Sequence, residues 1–251
     1  MRWGDVNGDR RDDLICLGEN GGMYVTINNA VRNDEYGSTW TNIGKIRDPP
    51  ANGQMDRVRF GDIDGDGRVD YCYIASNGDI QCWRNGGTGN YPTTPWEDMG
   101  IVFTGKNKGD IRGVRFVDIN GDGRSDWLWI DDTGAVDTYI NNRDMPKGSI
   151  KPNWRDAGRT HQGMQTAGAR KNIHFARIGN SERKDYLWVQ RQEDESTYQN
   201  YVLWWRNDGG GGTQLKGDGN YYCDMDGDGS DDYIWVSATG MCFHRLHYPA
   251  N

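Results

Sequence analysis

Residues 59–74 read RFGDIDGDGRVDYCYI, and the same sentence returns four more times: RWGDVNGDRRDDLICL at 2–17, RFVDINGDGRSDWLWI at 115–130, HFARIGNSERKDYLWV at 174–189 and YYCDMDGDGSDDYIWV at 221–236. A unit that recurs at near-regular intervals decides the architecture before any local propensity does. With Asp5, Asp62, Asp118, Arg177 and Asp224 as anchors, a glycine follows at one fixed offset (Gly21, Gly78, Gly134, Gly240) and an asparagine at another (Asn28, Asn85, Asn141). His247 takes the asparagine's place in the last unit, and in the fourth Asn207 is displaced by an insertion around Gln192–Gln199. Trp40, Trp96 and Trp154 each open a W-x-x-x-G segment ending at Gly44, Gly100 and Gly158. The repeats run approximately 1–56, 57–112, 113–171, 172–218 and 219–251 within one domain.

Each unit reads as four short strands: R-[WF]-x-D, then D-x-x-x-[LIV], the run before the asparagine, and the W-x-x-x-G segment. Asn-Gly or Thr-Gly between the second and third is a hairpin signal. The second strand has a bulky face (Tyr71 and Tyr73, Trp127 and Trp129, Tyr186 and Trp188, Tyr233 and Trp235) and a slim one (Cys72, Leu128, Leu187, Ile234). A sheet of that kind stacks on a copy of itself, bulky onto slim, and repetition about an axis makes an all-β propeller of four-stranded blades. The last unit ends before a fourth strand, so either the fifth blade is three-stranded or the propeller continues in a longer protein.

Composition agrees. Hydrophobic residues make up only 35% of the 251, with a net charge of −8, but 11 Trp and 13 Tyr supply the apolar area that an aliphatic count misses. Thirty-six glycines argue against a helical protein. No stretch is long and apolar enough for a membrane-spanning helix, and acidic residues outnumber basic ones 37 to 29, which leaves no basic footprint for nucleic acid. Cys72 and Cys82 flank the Asn77-Gly78 turn; buried free thiols are favoured there over a cross-strand bridge.

The loop between strands one and two carries oxygen ligands at alternate positions. Positions 1, 3, 5, 7 and 9 are Asp5, Asn7, Asp9, Arg11 and Asp13 in the first unit, and Asp62, Asp64, Asp66, Arg68 and Asp70 in the second. In the third they are Asp118, Asn120, Asp122, Arg124 and Asp126, and in the fifth Asp224, Asp226, Asp228, Ser230 and Asp232. Position 7 offers only its backbone carbonyl, so its side chain is free to vary. Gly67, Gly123 and Gly229 at position 6 suit the sharp turn, which Arg10 must make without glycine. Position 12 is Tyr73, Trp129 or Trp235 rather than the glutamate of an EF-hand, so closure falls to position 9. All-oxygen ligands without His or Cys favour calcium, and four ions would offset the formal charge. The fourth loop has Arg177, Gly179 and Ser181 at positions 1, 3 and 5, and is expected to hold no ion; its Arg177 is expected to replace the cation and pair with Asp185.

This loop, with [RH]-F ahead and D-[YW]-[LI]-W behind, resembles the FG-GAP/VCBS repeat family, which includes the integrin α-subunit propeller. The wording is most similar to secreted fungal and bacterial repeat proteins, among them propeller lectins. The resemblance implies calcium in the loops, an extracellular location, and glycans or a protein partner as ligand. Candidate ligand aromatics are Trp83, Tyr139 and Trp205, two positions before the repeated asparagine, and Trp204, whose counterparts are Val25, Cys82 and Thr138. The alternatives are an accessory or adhesion repeat domain of a larger secreted hydrolase or toxin, and a propeller polysaccharide lyase. No nucleophile elbow, zinc signature or phosphate loop supports an enzyme, and the recurring Arg2, Arg59 and Arg115 of strand one read as structural.

Overall fold

The computed structural model describes residues 1–30, 39–86, 96–106, 108, 110–142, 151–178, 181–191, 200–207, 214–217, 221–223, 231–236 and 242–245. The first sheet is β1 (Arg2–Gly4), β2 (Asp13–Leu17), β3 (Met23–Asn28) and β4 (Trp40–Arg47). The second is β5 (Val58–Gly61), β6 (Asp70–Ile74), β7 (Ile80–Arg84) and β8 (Glu97–Phe103), and the third is β9 (Val114–Val117), β10 (Asp126–Ile130), β11 (Val136–Asn142) and β12 (Asn153–His161). The fourth is β13 (Ile173–Ala176), β14 (Asp185–Arg191), β15 (Asn200–Trp205) and β16 (Gln214–Gly217). A fifth sheet of β17 (Tyr221–Cys223), β18 (Asp232–Val236) and β19 (Cys242–Arg245) has three strands among the described residues. Every sheet is an antiparallel meander in chain order. This is the β-propeller that the repeats predict.

The stacking follows the two faces of the second strand. Ile15, Met23, Val25 and Ile27 of the first blade pack on Tyr71, Phe60, Trp83 and Trp96 of the second. Cys72, Ile74, Ile80 and Cys82 of the second pack on Trp127, Phe116, Tyr139 and Trp154 of the third. Leu128, Ile130 and Val136 of the third meet Tyr186, Phe175 and Trp205 of the fourth. Tyr71 and Tyr186 each donate a hydroxyl, at 2.9 Å, to the carbonyl of the hairpin glycine one blade back, Gly21 and Gly134.

One expectation is corrected here. Cys72 and Cys82 lie directly opposite in the β6–β7 register, with Cα atoms 4.1 Å apart, and form a disulfide. The register brings the two thiols together where the turn alone left them free to miss. Cys16, by contrast, is a free and exposed thiol.

Candidate metal-binding loops and an inter-blade cavity

In the first three loops the position-1 aspartate organises the turn by accepting backbone N–H groups. Asp62 Oδ1 accepts from Gly65 (2.7 Å) and Asp66 (3.1 Å), and Oδ2 from Gly67 (2.8 Å). Asp5 and Asp118 repeat the pattern. Position 6 has a left-handed backbone in all three: φ is 86° at Gly67, 82° at Gly123 and 71° at Arg10. Only glycine adopts that region without a Cβ clash, so Arg10 holds the turn under strain.

The position-9 aspartate is wholly buried and works in two directions. Asp70 Oδ2 accepts the N–H of Ile63 at 2.9 Å and Oδ1 that of Asn85 at 2.8 Å; Asp13 and Asp126 do the same. The asparagine side chain then reaches one blade back. Asn85 donates to Val6 O, Asn141 to Ile63 O and Asn207 to Ile119 O, at 2.7–2.8 Å. Backbone bonds run the same way, from Val69 N to Asp5 O and from Ser125 N to Asp62 O. The loops are therefore linked to one another, and each position-9 aspartate holds up the one behind.

In the second loop, carboxylate oxygens of Asp62, Asp64 and Asp70 lie within 4.8 Å of one another. Burial pushes Asp62, Asp13 and Asp126 up to about 7 and Asp5 up to about 6, and it holds Asp70 well above the carboxylate range, with neighbouring aspartates adding to each shift. Crowded, desolvated carboxylates with hard oxygen donors fit a calcium ion, whose charge would offset that cost. Asp5, Asn7, Asp9 and Asp13 could hold one ion, Asp62, Asp64, Asp66 and Asp70 a second, and Asp118, Asn120, Asp122 and Asp126 a third. The fifth set falls on Asp224, Asp226, Asp228 and Ser230, which lie outside the described residues, as does the side chain of Asp232.

The fourth loop departs from expectation. Arg177 folds onto its own turn, with Nε donating to Ser181 O (2.9 Å) and Nη2 to Glu182 Oε1 (2.8 Å), rather than to Asp185. Asp185 is buried and accepts the N–H of Asn207, the position-9 role without the rest of the ligand set. Sequence reading also missed Lys184 pairing with the buried Asp231 at 2.7 Å, and Arg84, which contacts the Asp64 carboxylate and donates to Asp66 Oδ2 at 3.0 Å. The signal for Arg84 was its aligned partners, Ile27 and Ile140.

The four candidate ligand aromatics separate by environment. Trp83 packs edge-on against Tyr71 at 5.9 Å with the Arg47 guanidinium 4.4 Å from its ring centre, and Tyr139 packs against Trp127 at 5.4 Å and Phe103 at 5.5 Å. Both slots are closed by a fourth-strand tryptophan: Trp96 donates to Ile46 O (3.2 Å) and Trp154 to Val102 O (2.6 Å). Trp204 packs against Leu187 and Val202 within its own sheet's core. Trp205 differs. It meets His161 at 5.2 Å and Tyr186 at 5.4 Å, and the fourth repeat has no tryptophan in 208–213, the stretch ahead of β16. Between the third and fourth blades lies a cavity of about 410 Å³, lined by Trp205, Tyr186, His161 and Phe175 with Thr138, Thr160, Asn120, Asn207 and Arg183.

Residues 5–73, the first blade and the start of the second, match the family model described as FG-GAP-like repeat. No curated protein matches the chain. Among solved structures it is similar to the Tc holotoxin pore of Photorhabdus luminescens, at 15% identity and a TM-score of 0.49, over 97% of this chain and 11% of that one. It is also similar to an Agrocybe aegerita lectin described as recognising non-reducing terminal N-acetylglucosamine, at 17% identity and a TM-score of 0.49, over 93% of this chain and 73% of the lectin. The chain thus spans about a tenth of the toxin component's length. Among the described residues no helix is long and apolar enough to cross a membrane.

Proposed function

We propose that this chain is a secreted, calcium-stabilised propeller that binds carbohydrate between its third and fourth blades. The cavity at Trp205 carries the reading. Aromatic faces beside polar groups suit a sugar ring, whose C–H face packs on the aromatics while its hydroxyls find partners at Thr160 and Arg183. Calcium has a structural part, holding the loops that chain one blade to the next, and binding only the folded form it would stabilise by mass action. Affinities in the millimolar range of extracellular modules suit a secreted protein.

A glycan array probed in millimolar calcium, and again with chelator, tests this. Selective binding that Trp205→Ala abolishes is expected. A blank array from folded, calcium-loaded protein overturns the carbohydrate reading in favour of an accessory or adhesion domain that holds a protein.

A further inference from the structure

The second loop differs from the third in one ligand and one neighbour. Position 3 is Asp64 where the third loop has Asn120, and Arg84, at the end of β7, stands where the third blade has Ile140 in β11. In the third loop Asn120 donates its side-chain N–H to Asp122 Oδ2 at 3.3 Å, and in the first Asn7 donates to Asp9 Oδ2 at 3.1 Å. An aspartate has no N–H to give. In the second loop Arg84 supplies it, donating to Asp66 Oδ2 at 3.0 Å while its Nε contacts Asp64. Asp64 is nearly buried and Arg84 about 29% exposed, so the pair is poorly screened by water.

We propose that Arg84 is the counter-charge of Asp64, that the two together replace the position-3 asparagine, and that Arg84 sets the calcium affinity of the second loop. Four carboxylates and one guanidinium give this loop the same net charge as the three carboxylates of the third. Without Arg84 the loop would carry one more negative charge than its neighbour, and the affinity of an oxygen-ligand site rises with its ligand charge. The inference rests on the calcium reading of the loops.

Calcium titration calorimetry on the full chain tests it. Arg84→Ile, the residue of the third blade, is expected to tighten one site by about tenfold or more. Asp64→Asn alone is expected to weaken that site by a similar factor, and Asp64→Asn with Arg84→Ile to restore the wild-type isotherm. Arg84→Gln, which keeps an N–H for Asp66, carries the test if Arg84→Ile does not fold. Wild-type protein that binds calcium while the Arg84 variants bind it identically overturns this inference alone. Wild-type protein that takes up no calcium overturns the calcium reading and this inference with it.

Discussion

Asn141 donates its side-chain amide to the carbonyl of Ile63 at 2.8 Å, joining residues 78 apart in sequence across two blades. The asparagine is wholly buried, so its loss would leave that carbonyl without this donor and away from water. Asn141→Ala is expected to cost about 1–3 kcal/mol, measured by urea denaturation at fixed calcium. Asn85→Ala should behave alike at Val6.

The position-9 and position-5 aspartates should separate on chelation. Asp126→Ala removes the acceptor of two backbone N–H groups, that of Asn141 buried and that of Ile119 partly so, at a cost of roughly 2 kcal/mol or more, and should destabilise with or without calcium. Asp122→Ala should lower the melting temperature in calcium and leave it near wild type in chelator. Equal effects in both conditions would show that the third loop holds no ion.

Arg10 has the left-handed backbone that glycine supplies at the same point of the next two loops. Arg10→Gly is expected to stabilise the protein by about 0.5–1 kcal/mol, since relief of the Cβ clash exceeds glycine's extra unfolded-state entropy. An unchanged or lower denaturation midpoint would show that the strain is not there to be relieved.

His161 stacks on Tyr186 with ring centres 3.6 Å apart, and burial pulls it down to about 4 from an ordinary 6.5. Between those values the unfolded chain binds a proton that the native one excludes. The His161 contribution to stability is therefore intact above 6.5 and lost as the pH falls towards 4. Phe103 occupies the same place one blade earlier, so His161→Phe should flatten that part of the pH–stability curve while keeping the packing. Parallel curves for the two proteins between pH 7 and 4.5 would rule this out.

Trp83 and Trp205 hold equivalent positions with different work. Trp83→Ala should cost about 3 kcal/mol, the usual range for a core tryptophan. Trp205→Ala should cost less, because one side of its ring already faces a cavity, and should remove carbohydrate binding. Thermal melts and array signal, measured on both variants, separate the two roles.

Much of the fold could be read from residues 59–74 and their copies, because a repeat announces its own boundaries and a strand with one bulky and one slim face announces its stacking. The turn of each loop was legible for the same reason: the position-1 aspartate and the N–H groups it accepts lie within five residues of each other in sequence. What escaped depended on register or on absence. The Cys72–Cys82 pairing needs the exact cross-strand alignment, and Arg84 meets Asp64 only because the end of one strand returns over the loop. Arg177 turns to Glu182, whereas Asp185 accepts the backbone N–H of Asn207. The cavity at Trp205 goes with a sequence that has no tryptophan at 208–213, ahead of β16, and a missing residue type is a weak sign where an insertion lies nearby.

Bulky-on-slim stacking also sets a timetable for synthesis. A blade leaving the ribosome has its slim face bare until the bulky face of the following blade has been translated. At about 5–20 residues per second, the Ile15–Val25 surface waits several seconds for Tyr71 and Trp83. During that interval the nearest complementary surface is the same aromatic face on another nascent chain of the polysome, so crowded translation favours exchange of blades between molecules.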